Sequence, residues 1–133
     1  KRNDALCYLF DISPTLCDLC DLPVPESVQG TSLVGALQGK SEHRKALMFA
    51  YKNYERAYRD RRWKLILFDY KGEKHTMLFD LSADIHELRN LAERPEYHDT
   101  VAKLTHRLQT MAKSFGDCAQ WDQPGFGLPN GEG

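Results

Sequence analysis

"RAYRDRRWKLILFDYKGEKHTMLFDL", residues 56–81, alternates in period two, with breaks near Arg61 and across "YKGEKH". Successive side chains of a strand point to opposite faces, so this pattern reads as consecutive β-runs. In "WKLILFDY" (63–70), Trp63, Leu65 and Leu67 face one side, while Ile66, Phe68 and Tyr70 face the other. Apolar groups on both faces predict a central strand covered on both sides. "ALMFAYK" (46–52) supplies a run before this stretch, so "ALMFAYK", "RAYRD", "WKLILFDY" and "HTMLFDL" make four strands. Their short connections require antiparallel pairing.

Downstream, Pro95 opens a helix over roughly 95–115. Tyr97, Val101, Leu104, Leu108, Met111 and Phe115 recur at steps of four and three as one apolar stripe, opposite His98, Lys103, Arg107 and Lys113. Such a helix must bury its stripe, and the sheet is the available surface. The tail, 119–133, holds glycine and proline without periodicity and reads as loop, mobile towards its end. Upstream, Ser13 before Pro14 reads as an N-cap with proline in first position, and Pro23 and Pro25 stop that helix. Ser32 caps a second short helix closed by Gly39. The expected architecture is α+β: a four-stranded antiparallel sheet packed by a long C-terminal helix and preceded by short helices. Its divisions are 1–45, 46–118 and 119–133.

Eighteen basic and nineteen acidic side chains among 133 residues leave a net charge of −1, without the basic excess of a nucleic-acid binder. The densest basic stretch, Arg56, Arg59, Arg61, Arg62 and Lys64, reads as the solvated edge of a hairpin. No apolar run approaches the ~20 residues of a membrane span. The start at "KRNDAL" has neither an initiator methionine nor a signal-peptide pattern, as expected of a chain processed or cut from a longer one. Cys17 and Cys20 form a C-x-x-C without the partner ligands of a zinc site. "PTLCDLCDLP" reads instead as an amphipathic helix with Leu16, Leu19 and Cys20 on its buried face, the cysteines serving as small core groups.

"LFDLSADIHELRNLAERPE" (78–96) carries Asp80, Asp84 and Glu87. Asp84 to Glu87 fits a capping box, with Asn90 as a left-handed cap. A calcium loop would need alternating oxygen ligands and a glycine, which this stretch lacks.

Three stretches resemble the formylglycine-dependent, arylsulfatase-like family of the alkaline phosphatase superfamily. "DISPTLCDLCDLPVPESVQGTSLVGALQG" matches its D-I-x-P-T-L…G-x-S-L segment at Asp11, Ile12, Pro14, Thr15, Leu16, Gly30, Ser32, Leu33, Leu37 and Gly39. "RAYRDRRWKLILF" is similar to its R-x-x-R…K-L-I strand pair. "LFDLSADIHELRNLAERPE" is similar to its L-[YF]-D-L-x-x-D-P-x-E-x-x-N-L-A motif, with Ile85 in place of the proline.

The resemblance implies the C-terminal portion of a sulfatase. The family's nucleophile lies in C/S-x-P-S/A-R, which does not occur here, so no catalytic residue and no metal ligand is expected in this chain. Formylglycine and calcium are implied for the parent enzyme, acting by metal-assisted displacement. The implied partners are the N-terminal catalytic domain and a sulfated small molecule or glycan. By resemblance the parent belongs with periplasmic or secreted enzymes; the residues themselves leave the compartment open. Tyr51 and Tyr54 for stacking, with Asn53 and Arg56 for anionic or hydroxyl groups, make "YKNYER" the candidate substrate-contacting turn. His75 and His86 read as surface or turn residues. Leu9, Phe10, Leu16 and Leu19 are expected to rest on the catalytic domain. Two other readings remain: a stand-alone module binding sulfated glycans, and part of a phosphate or phosphonate ester hydrolase.

Overall fold

A computed structural model describes residues 3–127, and the expected loop at 128–133 lies outside the described residues. The chain divides into two compact units between Leu47 and Met48.

In the first unit, a 3-10 turn (Leu9–Asp11) leads into helix α1 (Ile12–Leu19), and a short helix α2 (Val34–Leu37) follows. Asp11, not Ser13, is the cap residue of α1. The chain has already turned before Ser13, because Asp11 accepts the Tyr8 N–H and donates its own N–H to the Tyr8 carbonyl. Ser32 fills its expected role in part, its Oγ accepting the Val34 N–H at 3.2 Å. Gly30 packs so tightly on the Phe10 carbonyl that a Cβ has no room there.

The expected apolar core face of α1 is not formed. Leu16 and Leu19 are 56% and 62% exposed, Cys7 and Cys20 are exposed, and Cys17 is half-buried. The helix instead buries Pro14 and Thr15, which lie on the side it turns toward Asp11 and residues 30–33.

The second unit holds the sheet from Met48 onward: β1 (Ala46–Tyr51), β2 (Glu55–Asp60), β3 (Trp63–Tyr70) and β4 (Glu73–Asp80), in spatial order β1-β2-β3-β4. The β2–β3 and β3–β4 pairs are antiparallel, with Tyr58 opposite Leu65 and Leu65 opposite Leu78. Residues directly opposite share a face, so these three stack beneath helix α3 (His98–Ser114). A 3-10 turn at Pro95–Tyr97 starts that helix. Leu104, Leu108 and Ala112 are the helix residues that seal the core, each at most 1% exposed. Phe115, expected at the end of the stripe, lies past the last helical residue and is 58% exposed. On the opposite face of β3, Ile66 and Phe68 are half-buried and Tyr70 is 40% exposed, so the central strand is covered less fully there than its sequence suggests. Lys71 and Gly72 both have positive φ, 52° and 88°. That is the primed geometry that lets a two-residue turn follow strand twist.

The basic stretch is not simply a solvated edge. Arg62 pairs with Asp80 at 2.8 Å, Lys64 pairs with Glu87 at 2.6 Å, and Arg56 is only 2% exposed.

The acidic stretch after β4 forms no helix, which corrects the capping-box expectation. Glu87 adopts φ 56° and sends its carboxylate to Lys64. The Asp84 carboxylate accepts the Arg89 N–H at 2.8 Å, and the Leu88 N–H is the first cause of its lowered pKa. Asn90 is no left-handed cap either. Its Oδ1 accepts the Leu78 N–H at 2.9 Å, its Nδ2 donates to the Thr76 carbonyl at 3.0 Å, and the Leu91 N–H reaches the Leu78 carbonyl at 2.8 Å. The side chain of Asn90 thereby pairs with edge strand β4 as a neighbouring strand would. Asn90→Ala is expected to cost about 1 kcal/mol, read as a lower denaturant midpoint at unchanged m-value.

Candidate functional site

The motif residues of the first unit build a clasp. Asp11 is completely buried, and its carboxylate accepts the Tyr8 N–H at 2.8 Å and the Thr31 N–H at 2.9 Å. Arg44 closes on both of its oxygens, from Nε at 2.9 Å and Nη2 at 2.5 Å, while His43 Nε2 lies 3.1 Å away. Thr15 donates to the Asp11 carbonyl at 2.6 Å and accepts the Leu33 N–H at 2.9 Å. The Arg44 guanidinium also sits 4.9 Å from the centre of the Tyr8 ring. Both carboxylate oxygens of Asp11 are engaged inside the fold, so the group joins residues 8–15, 31–33 and 43–44.

In the second unit, the candidate substrate-contacting turn connects β1 and β2. Lys52 takes φ 48° at its bend. The four residues singled out there separate into two kinds. Tyr51 is 56% exposed, and its ring meets Tyr54 edge-on at 5.5 Å. Tyr54 in turn contacts Phe68 at 5.7 Å and Tyr70 at 5.0 Å. Burial first, and then the hydrogen bond with Tyr51, push the Tyr54 hydroxyl up from its ordinary pKa. These rings form a partly open aromatic surface across the turn.

Asn53 and Arg56 point inward, 7% and 2% exposed. Arg56 Nη1 donates to the carbonyls of Lys52 (2.9 Å) and Glu55 (2.8 Å). Its Nε and Nη2 donate to Asp117, at 2.6 and 3.1 Å. With four donor contacts made inside the fold, Arg56 has little left to offer a ligand.

Sequence reading missed Phe68 and Tyr70 as partners of the turn, although the period-two pattern already placed them on one face of β3. Asp117 and Phe126 carried no local signal. His75 is exposed, 4.0 Å from Glu73, and His86 is exposed on its loop. Among the described residues, no group of three or more His, Cys, Asp or Glu side chains is arranged to hold a metal ion, so the residues present do not fit the calcium implied for a parent sulfatase. No helix in this range is long and apolar enough to cross a membrane.

Residues 1–114 match the family described as N-sulphoglucosamine sulphohydrolase, C-terminal. An N-acetylglucosamine-6-O-sulfatase of Bacteroides thetaiotaomicron is 28% identical over 88% of this chain and 23% of its own length. A solved protein in complex with its substrate D-glucosamine-2-N,6-O-disulfate superposes with a TM-score of 0.69 at 27% identity, covering 86% of this chain and 25% of that one. The phosphonate monoester hydrolase of Agrobacterium radiobacter gives a TM-score of 0.61 at 27% identity, covering 78% of this chain and 24% of its own. The chain thus spans about a quarter of the length of these relatives. With its clasp, its four-stranded sheet and its covering helix, the chain belongs to the N-sulphoglucosamine sulphohydrolase C-terminal family, the C-terminal portion of sulfatases in the alkaline phosphatase superfamily.

Proposed function

We propose that this chain serves a sulfate-ester hydrolase by closing one side of its substrate pocket, with Tyr51 and Tyr54 touching the substrate. The observation that carries the proposal is the open ring surface at the β1–β2 turn, in a chain that lacks the C/S-x-P-S/A-R nucleophile motif. Exposed rings provide flat apolar faces for an aryl group or a sugar. Asn53 and Arg56 act from beneath by holding the turn. In this reading formylglycine and calcium belong to the rest of the enzyme. Leu9, Phe10, Leu16 and Leu19, which are 84%, 48%, 56% and 62% exposed, form the surface on which that part rests.

The chain alone is expected to show no turnover of 4-nitrophenyl sulfate with added calcium. In the complete enzyme, Tyr51→Ala is expected to raise KM about 3- to 10-fold, equivalent to ~0.5–1.5 kcal/mol of ring contact, with kcat little changed. Turnover by the highly purified chain, or a KM indifferent to Tyr51, would sink the proposal. The likeness to a phosphonate monoester hydrolase supports a second reading, in which the ester hydrolysed is a phosphonate. Comparing phenyl phosphonate and aryl sulfate esters as substrates of the complete enzyme separates the two.

A further inference from the structure

The segment after α3 is not an idle tail. Asp117 meets the Arg56 guanidinium through both carboxylate oxygens, at 2.6 and 3.1 Å, and one of those oxygens also accepts the Ala119 N–H at 3.2 Å. The chain then loops back: the Gln120 N–H reaches the Phe126 carbonyl at 2.6 Å, and the Trp121 and Phe126 rings meet at 5.4 Å. Gly125 and Phe126 both lie in the left-handed region, at φ 57° and 54°. That conformation is unfavourable for phenylalanine, yet it puts the ring at 4% exposure, 5.2 Å from the Arg56 guanidinium. A Cβ at Gly125 would stand 3.6 Å from both the Asn53 amide nitrogen and the Asn53 carbonyl oxygen, so the loop lies directly against the turn.

Arg56 therefore grips two segments at once. Nη1 holds the Lys52 and Glu55 carbonyls of the turn, while Nε and Nη2 hold Asp117 and the guanidinium lies over the Phe126 ring. We propose that residues 117–126 form a strap that positions the Tyr51–Tyr54 turn through Arg56, making Asp117 and Phe126 positioning residues for ligand contact. That last step rests on the pocket reading above; the mechanical link between strap and turn does not.

The test is amide exchange on the chain carrying Phe126→Ala, with Phe126→Tyr as the variant that keeps an aromatic face over the guanidinium. Expected is at least a tenfold faster exchange within 51–56 for Phe126→Ala, with little change in β4 and α3 and with recovery in Phe126→Tyr. Unchanged exchange at 51–56, or a uniform rise across the sheet, overturns the strap, since the ring would then be mere filling. In the complete enzyme with D-glucosamine-2-N,6-O-disulfate as probe, both Phe126→Ala and Tyr51→Ala are expected to raise KM, with Phe126→Tyr again restoring it. A Tyr51→Ala effect without any effect of Phe126→Ala counts against the strap. Faster turn exchange in Phe126→Ala beside a silent Tyr51→Ala supports the strap and defeats the pocket reading alone.

Discussion

Asp11→Ala is expected to destabilise the first unit by about 3–5 kcal/mol, the typical result of removing one partner from a buried charge pair. The loss is not confined to the Arg44 contact. Removing the carboxylate also strands the Tyr8 and Thr31 N–H groups and leaves the half-buried Arg44 guanidinium beside apolar rings. Amide exchange across residues 5–44 measures this locally, without assuming that the two units unfold together. The same site predicts a pH dependence. Burial works to raise the Asp11 carboxyl, but Arg44, the Thr31 and Tyr8 N–H groups and His43 outweigh it and hold the group well below the usual carboxylate range. A carboxyl depressed in the folded state stabilises fully above its unfolded value of 3.8, and that stability fades as pH falls toward the folded value. Protection of residues 5–44 should therefore decline below about pH 4 in the native chain. Asp11→Asn should start lower and lose the part of this slope that Asp11 supplies. Equal protection of native and Asp11→Ala chains at pH 7 would contradict the clasp.

The contrast between what was legible and what was not has a physical origin. Strand alternation and the helix stripe repeat over many residues, and each repeat restates which face is buried; hence β1–β4 are readable within two residues and α3 within three. Single polar residues have no such redundancy. Asp84 and Glu87 have the spacing of a capping box, but Lys64, 23 residues earlier, offers Glu87 a charged partner at 2.6 Å. Glu87 then adopts a left-handed bend that ends any helix. Asn90 likewise serves a strand rather than its own turn. For the candidate site, Tyr51 and Tyr54 were visible as ring-bearing turn residues, and the structure sets them beside Phe68 and Tyr70. Arg56 was legible as a cation of a basic stretch and as a ligand-contacting candidate of the turn, but not as the residue that holds the turn from inside. Its acceptor lies 61 residues away in a segment without periodicity, and a pairing at that distance leaves no local trace.

Asp117→Ala should show how much of the second unit depends on that pairing. The Arg56 and Asp117 side chains are 3% and 12% exposed, so the change leaves a guanidinium out of water with Nε and Nη2 unpaired. We expect a loss of about 3 kcal/mol, at the low end for a broken buried pair because water can reach the side of Asp117. Replacing both members with apolar side chains, Arg56→Met with Asp117→Leu, removes the stranded charge and should recover more than half of that loss. Recovery should stop short of the native value by about 1 kcal/mol, because Arg56→Met takes the Nη1 donor from the Lys52 and Glu55 carbonyls. A double-mutant cycle from urea midpoints separates the two contributions. A strongly favourable coupling identifies the ion pair as the anchor. Strictly additive losses would show that Arg56 stabilises the turn from its own strand alone and that Asp117 is dispensable to it. The deficit that persists in the double variant belongs to the turn carbonyls, and it should appear as faster amide exchange at residues 52–55, the bend that carries Tyr54 and follows Tyr51.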